Sequence, residues 1–169
     1  MINSQHLKDF IIEPTLRSME DLWPGAGREA AVNLLVGIVA QESTIGGVTY
    51  LKQVRGPALG IYQIEPATHQ DTWVNYLLNK EEKANFIRGL LGYKHPEQEE
   101  ELHQELIHNL RYATAIARIK IWRSDFKELG VAWPEDPNDK VALGRIWDLA
   151  YNANPEKGTV EEFVEAYPL

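Results

Sequence analysis

The chain has 169 residues, with 25 acidic and 17 basic side chains and a formal net charge of −8, and its length fits one domain, residues 1–169, with a substantial core. The acidic balance argues against a protein that binds the phosphate backbone of nucleic acids, and the absence of cysteine excludes disulfides and thiolate metal sites. No stretch approaches the ~18 apolar residues of a membrane-spanning helix, so membrane insertion is not expected.

The N-terminal third of the chain predicts two helical regions. Apolar residues recur at helical spacing over residues 4–23, and Pro14 is expected to divide this stretch because proline lacks a donor N–H. A breaker at residues 24–27 precedes an unusually apolar helix that ends in the sequence Ala-Gln-Glu-Ser at 40–43. The opening residues carry Asp9 and Glu13 and lack the long apolar segment of a signal peptide.

Glu42 is the most informative residue of this pattern. Leu35 and Ile38 precede it by seven and four residues and therefore share its face of the helix. Burial of that face would desolvate the carboxyl, and desolvation disfavours the charged form and raises the pKa of a glutamate. A glutamate that stays protonated near neutral pH is suited to act as a general acid.

The sequence after residue 43 also has patterns that are typical of helices. Residues 44–60 are irregular, with a β-prone Val-Thr-Tyr-Leu segment that suggests a short β-hairpin. Pro66 suits the first turn of a helix, and further helices are expected at 81–91, 95–126 and 139–151, the acidic run at 96–105 being a solvated helix start. Thr159 and Glu162 predict a capping box before a short terminal helix. We therefore expect a mostly α-helical domain.

Four segments resemble, in order and approximate spacing, the catalytic domain of soluble lytic transglycosylases in the lysozyme-like superfamily. They are Ala-Gln-Glu-Ser at 40–43, Gly-Ile-Tyr-Gln-Ile-Glu-Pro-Ala-Thr at 60–68, an alanine-rich helix around 111–122, and Leu-Ala-Tyr-Asn-Ala-Asn at 149–154. The match covers about residues 30–153. The resemblance implies a lysozyme-like fold and cleavage of peptidoglycan glycan strands.

The resemblance also implies roles for individual residues. Glu42 matches the catalytic acid and base, and it would cleave the bond between N-acetylmuramic acid and N-acetylglucosamine to leave a 1,6-anhydro sugar. Because no water is consumed, no second carboxylate is required to hold one, and no metal or cofactor is expected. The residues expected to bind the saccharide are Ser43, Gly60, Tyr62, Gln63, Tyr151 and Asn152. Tyr62 stands where the family usually has an apolar residue, and its ring is expected to stack on a sugar.

Several alternatives remain open. Glu65, Asp71 and Glu81 are candidate second carboxylates, although each also suits a solvated helix N-terminus. If Glu65 positioned a water, the protein would be a hydrolytic muramidase similar to goose-type lysozyme; a non-catalytic structural or wall-binding protein on the same fold is the third reading. The histidines do not have metal-ligand spacing, and Trp73 and Trp147 are candidates to flank a saccharide groove.

The expected setting follows from the substrate and from the opening residues. A wall-degrading protein without a signal peptide needs another route to the wall. We expect a bacteriophage protein, carried by a virion assembly or released with a holin-like partner. A bacterial cytoplasmic protein exported by another route is the alternative.

Overall fold

The computed structural model describes residues 2–45, 48–53, 56–92, 99–152 and 158–168. They form one compact, mostly helical domain, which confirms the predicted class. The α-helices are α1 (Ser4–Leu7), α2 (Glu13–Ser18), α3 (Glu29–Ser43), α4 (Pro66–Thr72), α5 (Glu81–Gly89), α6 (Glu99–His108), α7 (Leu110–Trp122), α8 (Phe126–Leu129), α9 (Lys140–Ile146) and α10 (Val160–Ala166). Three π-helical turns extend this set, at Lys8–Ile12, Trp73–Leu77 and Trp147–Asn152.

Helix α3 is the central element of the core. Every residue from Ala30 to Val39 is buried, and the helix packs against α7, α9, α10 and the first π turn. Its one buried polar side chain in that stretch is fully engaged: Asn33 accepts a hydrogen bond from Lys8 Nζ and donates to the Pro137 carbonyl, each at 2.9 Å. Because α3 is apolar on all sides, helices from both ends of the chain must cover it.

The short hairpin predicted after α3 is present. Strands β1 (Thr44–Ile45) and β2 (Val48–Thr49) pair antiparallel, with Thr44 opposite Thr49. Isolated bridges then join Leu59 to both Lys52 and Ile64. The chain between α3 and α4 is therefore held close to the C-terminal end of α3.

Two predicted helix boundaries are wrong. Pro14 does not divide the first helical region, because the π turn directly before α2 bonds the Glu13 N–H to the Lys8 carbonyl, and this wider spacing accommodates a residue without an N–H. The run over 95–126 is not one helix. Asn109 interrupts it with extended backbone, and its side chain caps α7 by accepting the Tyr112 N–H at 3.0 Å.

Several sequence expectations for the helix ends hold, and one does not. Pro66 begins α4 and the capping box of Thr159 and Glu162 begins α10, as predicted. Glu105 is not part of a solvated helix start: it is buried, and it accepts a hydrogen bond from Asn109 Nδ2 at 2.9 Å.

Residues 93–98 and the end of the 149–154 motif, Ala153 and Asn154, lie outside the described residues. Among the described residues, no helix combines the length and apolarity needed to cross a membrane.

Gly60 lies where the segment after the hairpin packs closely against helix α6. Its φ is +71°, and a Cβ built on it would lie 1.8 Å from the Leu106 carbonyl oxygen. A backbone carbonyl in a helix cannot move aside as the end of a flexible side chain can. Glycine is therefore required here both for the left-handed backbone and for the close approach.

Gly60→Ala is expected to destabilise the fold more than the same change at Gly92. Gly92 has almost the same φ, +68°, but open space around it. The Gly92 variant should show only the left-handed backbone cost of about 1–2 kcal/mol, and the Gly60 variant should add about 1–3 kcal/mol of overpacking. Urea unfolding of both variants measures the difference, and equal losses would contradict the close approach at Leu106.

A buried polar chain links helices α4, α6 and α7. Tyr112 Oη accepts a hydrogen bond from Trp73 Nε1 at 2.8 Å and lies 2.6 Å from His69 Nε2, while the His69 and His103 rings meet edge to face at 4.9 Å. The indole already donates to Tyr112, so the free hydroxyl proton is best placed on the line to His69 Nε2. Burial, with a smaller effect from His103, lowers the pKa of His69 to about 3. This histidine therefore stays neutral at ordinary pH.

Acidification is expected to weaken the domain through His69. Its pKa is about 3 in the folded protein against 6.5 in the reference state, so the unfolded chain binds more protons between these values and stability falls as the pH falls through this window. Between pH 7 and pH 5 the loss from this group is about 2 kcal/mol. His69→Gln should remove that part of the pH dependence in urea unfolding. His6→Gln, at an exposed position of α1, should keep it, and a His69 variant with the wild-type slope would refute the assignment.

Candidate active site around Glu42

The last turn of α3 brings Glu42 to the edge of the core. Glu42 is half-buried, whereas the residues one to three turns before it are sealed in the core. Its Oε1 accepts a hydrogen bond of 2.7 Å from Trp147 Nε1. An indole N–H can only donate, so Oε1 acts as an acceptor, and in the acid form the proton is best placed on Oε2. The bond therefore sets the orientation of the carboxyl.

Trp147 is held firmly enough to perform this orienting role. Its side chain is fully buried, and its ring stacks on Phe163 of α10 with a centroid distance of 5.5 Å. It opens the π turn that follows α9, and α9 and α10 both pack against α3. The donor to Glu42 is thus fixed by the same helices that cover the centre of the core.

Tyr151 holds the turn at residues 60–63 in place next to the site. It follows Trp147 by one turn, and its hydroxyl donates to the Tyr62 carbonyl at 2.7 Å. Burial, together with the nearby Glu42 and Tyr62, raises the pKa of Tyr151 well above its ordinary value. Tyr151 is therefore a neutral hydrogen-bond donor over the working pH range and not a base.

The turn at residues 60–63 is shaped by its own backbone. Gln63 has a positive φ of 47°, which is unusual for a residue other than glycine. Its N–H and its Nε2 both donate to the Gly60 carbonyl, at 3.1 and 2.7 Å. The Tyr151 hydroxyl anchors the same turn at Tyr62, so Tyr151 and the turn at residues 60–63 are in contact.

The structure contradicts direct sugar contact by several predicted binding residues. Tyr62 does not stack on a ligand ring: its side chain is fully buried, and its hydroxyl lies 3.0 Å from Thr114 Oγ1. Ser43 and Tyr151 are also buried, and the Ser43 hydroxyl donates back to the Val39 carbonyl at 2.9 Å. Gly60 is buried against α6. These four residues build the site and do not line it, because their polar groups already have protein partners.

Gln63 and Asn152 are the predicted binding residues that stay partly exposed. The Gln63 amide nitrogen is engaged with Gly60, whereas Asn152 Nδ2 is buried without a hydrogen-bond partner. An unpaired buried amide nitrogen is uncommon in a folded protein. Asn152 is thus the polar side chain beside Tyr151 with unused donor capacity.

The candidate second carboxylates occupy three different environments. Glu65 is the half-buried residue that precedes α4, and Glu81 opens α5 as an exposed first-turn acid, as expected. Asp71 is not at a helix N-terminus: it lies near the end of α4, accepts hydrogen bonds from Asn75 and from Arg123 Nη1, and these bonds lower its pKa. The carboxylate of Asp71 is therefore ionised, and both of its oxygens already accept hydrogen bonds from protein side chains.

The two tryptophans predicted to flank a groove are both buried in the core. Trp73 donates to Tyr112, and Trp147 donates to Glu42. Sequence reasoning missed this role of Trp147, although its spacing of four residues from Tyr151 places both on one helix face. Across the described ranges, no group of three or more histidine and acidic side chains could hold a metal ion.

Comparison with known proteins does not extend this picture. No family model matches the chain, and no curated protein or solved structure matches it at a significant level.

Tyr151→Phe is expected to destabilise the protein by about 1–3 kcal/mol, because it leaves the buried Tyr62 carbonyl without its donor. Tyr50→Phe, at a half-buried tyrosine outside this cluster, should change stability by less than about 0.5 kcal/mol. Thermal or urea unfolding compares the two variants. A Tyr151 variant as stable as the wild type would show that the bond to Tyr62 contributes nothing to the anchoring of the 60–63 turn.

Proposed function

We propose that this protein cleaves the glycan strands of peptidoglycan by lytic transglycosylation on a lysozyme-like fold, with Glu42 as the general acid and base. The observation that carries the proposal is the hydrogen bond from Trp147 Nε1 to Glu42 Oε1, which orients a half-buried carboxyl at the meeting point of the motifs. A general acid must be held in a fixed orientation within hydrogen-bond reach of the group that it protonates.

The proposed reaction uses the two protonation states of Glu42 in turn. The acid form protonates the glycosidic oxygen between N-acetylmuramic acid and N-acetylglucosamine, and the bond to the muramoyl C1 breaks. The carboxylate then removes the proton of the muramoyl 6-hydroxyl, whose oxygen closes on C1 to form the 1,6-anhydro sugar. Glu42 is thereby reprotonated, and no water is consumed.

The indole N–H of Trp147 would donate to the carboxylate that forms after Glu42 has given up its proton. Tyr151, neutral and committed to the Tyr62 carbonyl, does not compete for the proton. Asn152, which stays partly exposed beside Tyr151, is the residue of this segment that we assign to contact with the sugar chain.

A hydrolytic muramidase is the second candidate, and the position of Glu65 favours it. Ordinary glycosidases use two carboxyl groups. Glu65 is half-buried and lies two residues after the 60–63 turn that Tyr151 anchors. Asp71 is a weaker second carboxylate because Arg123 and Asn75 occupy it. In this reading, Glu65 would position the attacking water and the product would carry a reducing end.

The partner and setting follow from the proposed reaction. The macromolecular partner is the peptidoglycan glycan strand, and the acidic charge of −8 gives no electrostatic attraction to an anionic wall. We therefore propose delivery by a larger assembly, such as a bacteriophage virion, or release by a holin-like membrane protein.

Glu42→Gln is expected to lower the release of soluble fragments from purified sacculi by about 10²–10⁴-fold, the usual contribution of a general acid or base. Glu29→Gln, an exposed glutamate at the other end of the same helix, is the matched control and should retain wild-type activity. Mass spectrometry of the fragments identifies the chemistry. Products with 1,6-anhydromuramic acid are the expected result.

Each other outcome of this experiment has a defined meaning. Reducing-end products, lost in Glu65→Gln as well as in Glu42→Gln, would replace the transglycosylase assignment with a muramidase. An unimpaired Glu42 variant would refute the assigned acid. Sacculus binding by the wild type without any fragment release would refute catalysis and leave a wall-binding structural protein.

A further inference from the structure

Arg118 of α7 is a buried cation that the proposed reaction does not use. The residue is 2% exposed, and its hydrogen-bond partners are neutral: Nε donates to the Ala26 carbonyl and Nη2 to the Gly25 carbonyl, both at 3.2 Å. A fully buried arginine normally lies against a carboxylate, because desolvation of a lone charge is costly. Among the described residues, no acidic side chain lies within ion-pair distance of Arg118.

The charges near Arg118 do not neutralise it. Desolvation, together with the neighbouring Arg28, lowers the pKa of Arg118 to about 10, and Glu20 opposes this shift only weakly. Glu20, whose two oxygens accept the Gly25 and Gly27 N–H groups, supplies one negative charge against the two positive charges of Arg118 and Arg28. The neighbourhood of the guanidinium therefore carries an uncompensated positive charge.

A groove of about 300 Å³ opens beside this guanidinium. Its lining residues are Arg118, Ile121, Trp122, Ser124, Phe126 and Trp133. Arg118 Cζ lies 5.5 Å from the Trp122 ring centroid and 5.3 Å from that of Trp133. The ring centroids of Phe126 and Trp133 lie 5.2 Å apart. The groove thus combines flat apolar walls with one cation, the usual make-up of a small-molecule site.

One nitrogen of the guanidinium is left for a ligand. The hydrogen bonds of Arg118 use Nε and Nη2. Nη1 has no hydrogen bond to the described residues, and Arg118 lines the groove, so Nη1 is the donor available there.

We propose that this groove binds a small carboxylate with a flat apolar body, its carboxylate on Arg118 and its body between Trp122, Phe126 and Trp133. The carboxylate would supply the missing counter-charge through a charge-assisted hydrogen bond from Nη1, which is roughly twice as strong as a neutral one. The ring of the ligand would pack on the tryptophan faces. A free aromatic acid and the C-terminal carboxylate of a peptide share this chemistry.

The test is a calorimetric titration of the full chain with benzoate and with benzamide at equal ionic strength. The two probes have nearly the same shape and differ in charge, so the wild-type protein alone tests the role of the cation. Benzoate is expected to bind at least about tenfold more tightly than benzamide, as loss of one charge-assisted hydrogen bond predicts. Equal affinities, or no binding of either probe at millimolar concentration, would overturn the proposal.

Variants locate the binding to the groove. Trp133→Leu removes one partly buried wall and should weaken benzoate binding at least fivefold, whereas Phe10→Leu, at an exposed aromatic of the first helical region, should leave it unchanged. Arg118→Met should abolish the preference for benzoate over benzamide. If that variant fails to fold, because the Gly25 and Ala26 carbonyls lose their donors, Trp133→Leu still decides. Benzoate binding that is unaffected by Trp133→Leu would place the ligand elsewhere and refute the site.

A further arm distinguishes the two sources of the carboxylate. The dipeptide Gly-Phe and its C-terminal amide are titrated in the same way. Tighter binding of Gly-Phe than of benzoate, lost in the amide, would support the site and identify a peptide terminus as its ligand. Tighter binding of benzoate would support the site for a free small acid.

Discussion

The burial of α3 on every side is the constraint on which the rest of the structure depends. Ten consecutive residues, Ala30–Val39, have no solvent-facing side, so helices from the start, middle and end of the chain must all pack against this one. The apolar surface that they cover supplies the main favourable free energy of such a domain. Only the last turn of α3 extends beyond the helices that cover it, and Glu42 therefore lies at the edge of the core.

The site around Glu42 is assembled by elements that also serve the core. Trp147 packs on Phe163 as a core residue and donates to Glu42 with the one polar atom of its ring. Tyr151 fills the core with its ring and anchors the 60–63 turn with its hydroxyl. Because these side chains are held by packing, the carboxyl that they orient has little freedom to turn. Such preorganisation is what a catalytic carboxyl requires.

The irregular features of the helices cluster where polar groups need a particular direction. The π turn Trp147–Asn152 carries the donor to Glu42, and the π turn Trp73–Leu77 begins with the donor to Tyr112. A π turn widens the helix by one residue and rotates the side chains that follow it. The donors to Glu42 and to Tyr112 are therefore placed by local departures from regular helix and not by the helical repeat alone.

The sequence by itself determined the mostly helical class, the end of α3, the short hairpin after it, and the starts of α4 and α10. These depend on local signals: apolar periodicity, a proline at a first turn, and a capping box, each of which acts within a few residues. It also led to the hypothesis that joins Glu42 with the segments at 60–68 and 149–154 in one candidate site.

Only the tertiary structure decided which side chains face solvent and which partner they take. The sequence predicted Tyr62, Ser43 and Tyr151 as saccharide-binding residues, yet all three are buried, because a sequence pattern records residue types and not the direction of a side chain. The bond from Trp147 to Glu42 joins residues 105 positions apart, and the carbonyl contacts of Arg118 span more than 90. No local pattern encodes such pairs, since they arise only when distant helices pack on the same buried helix.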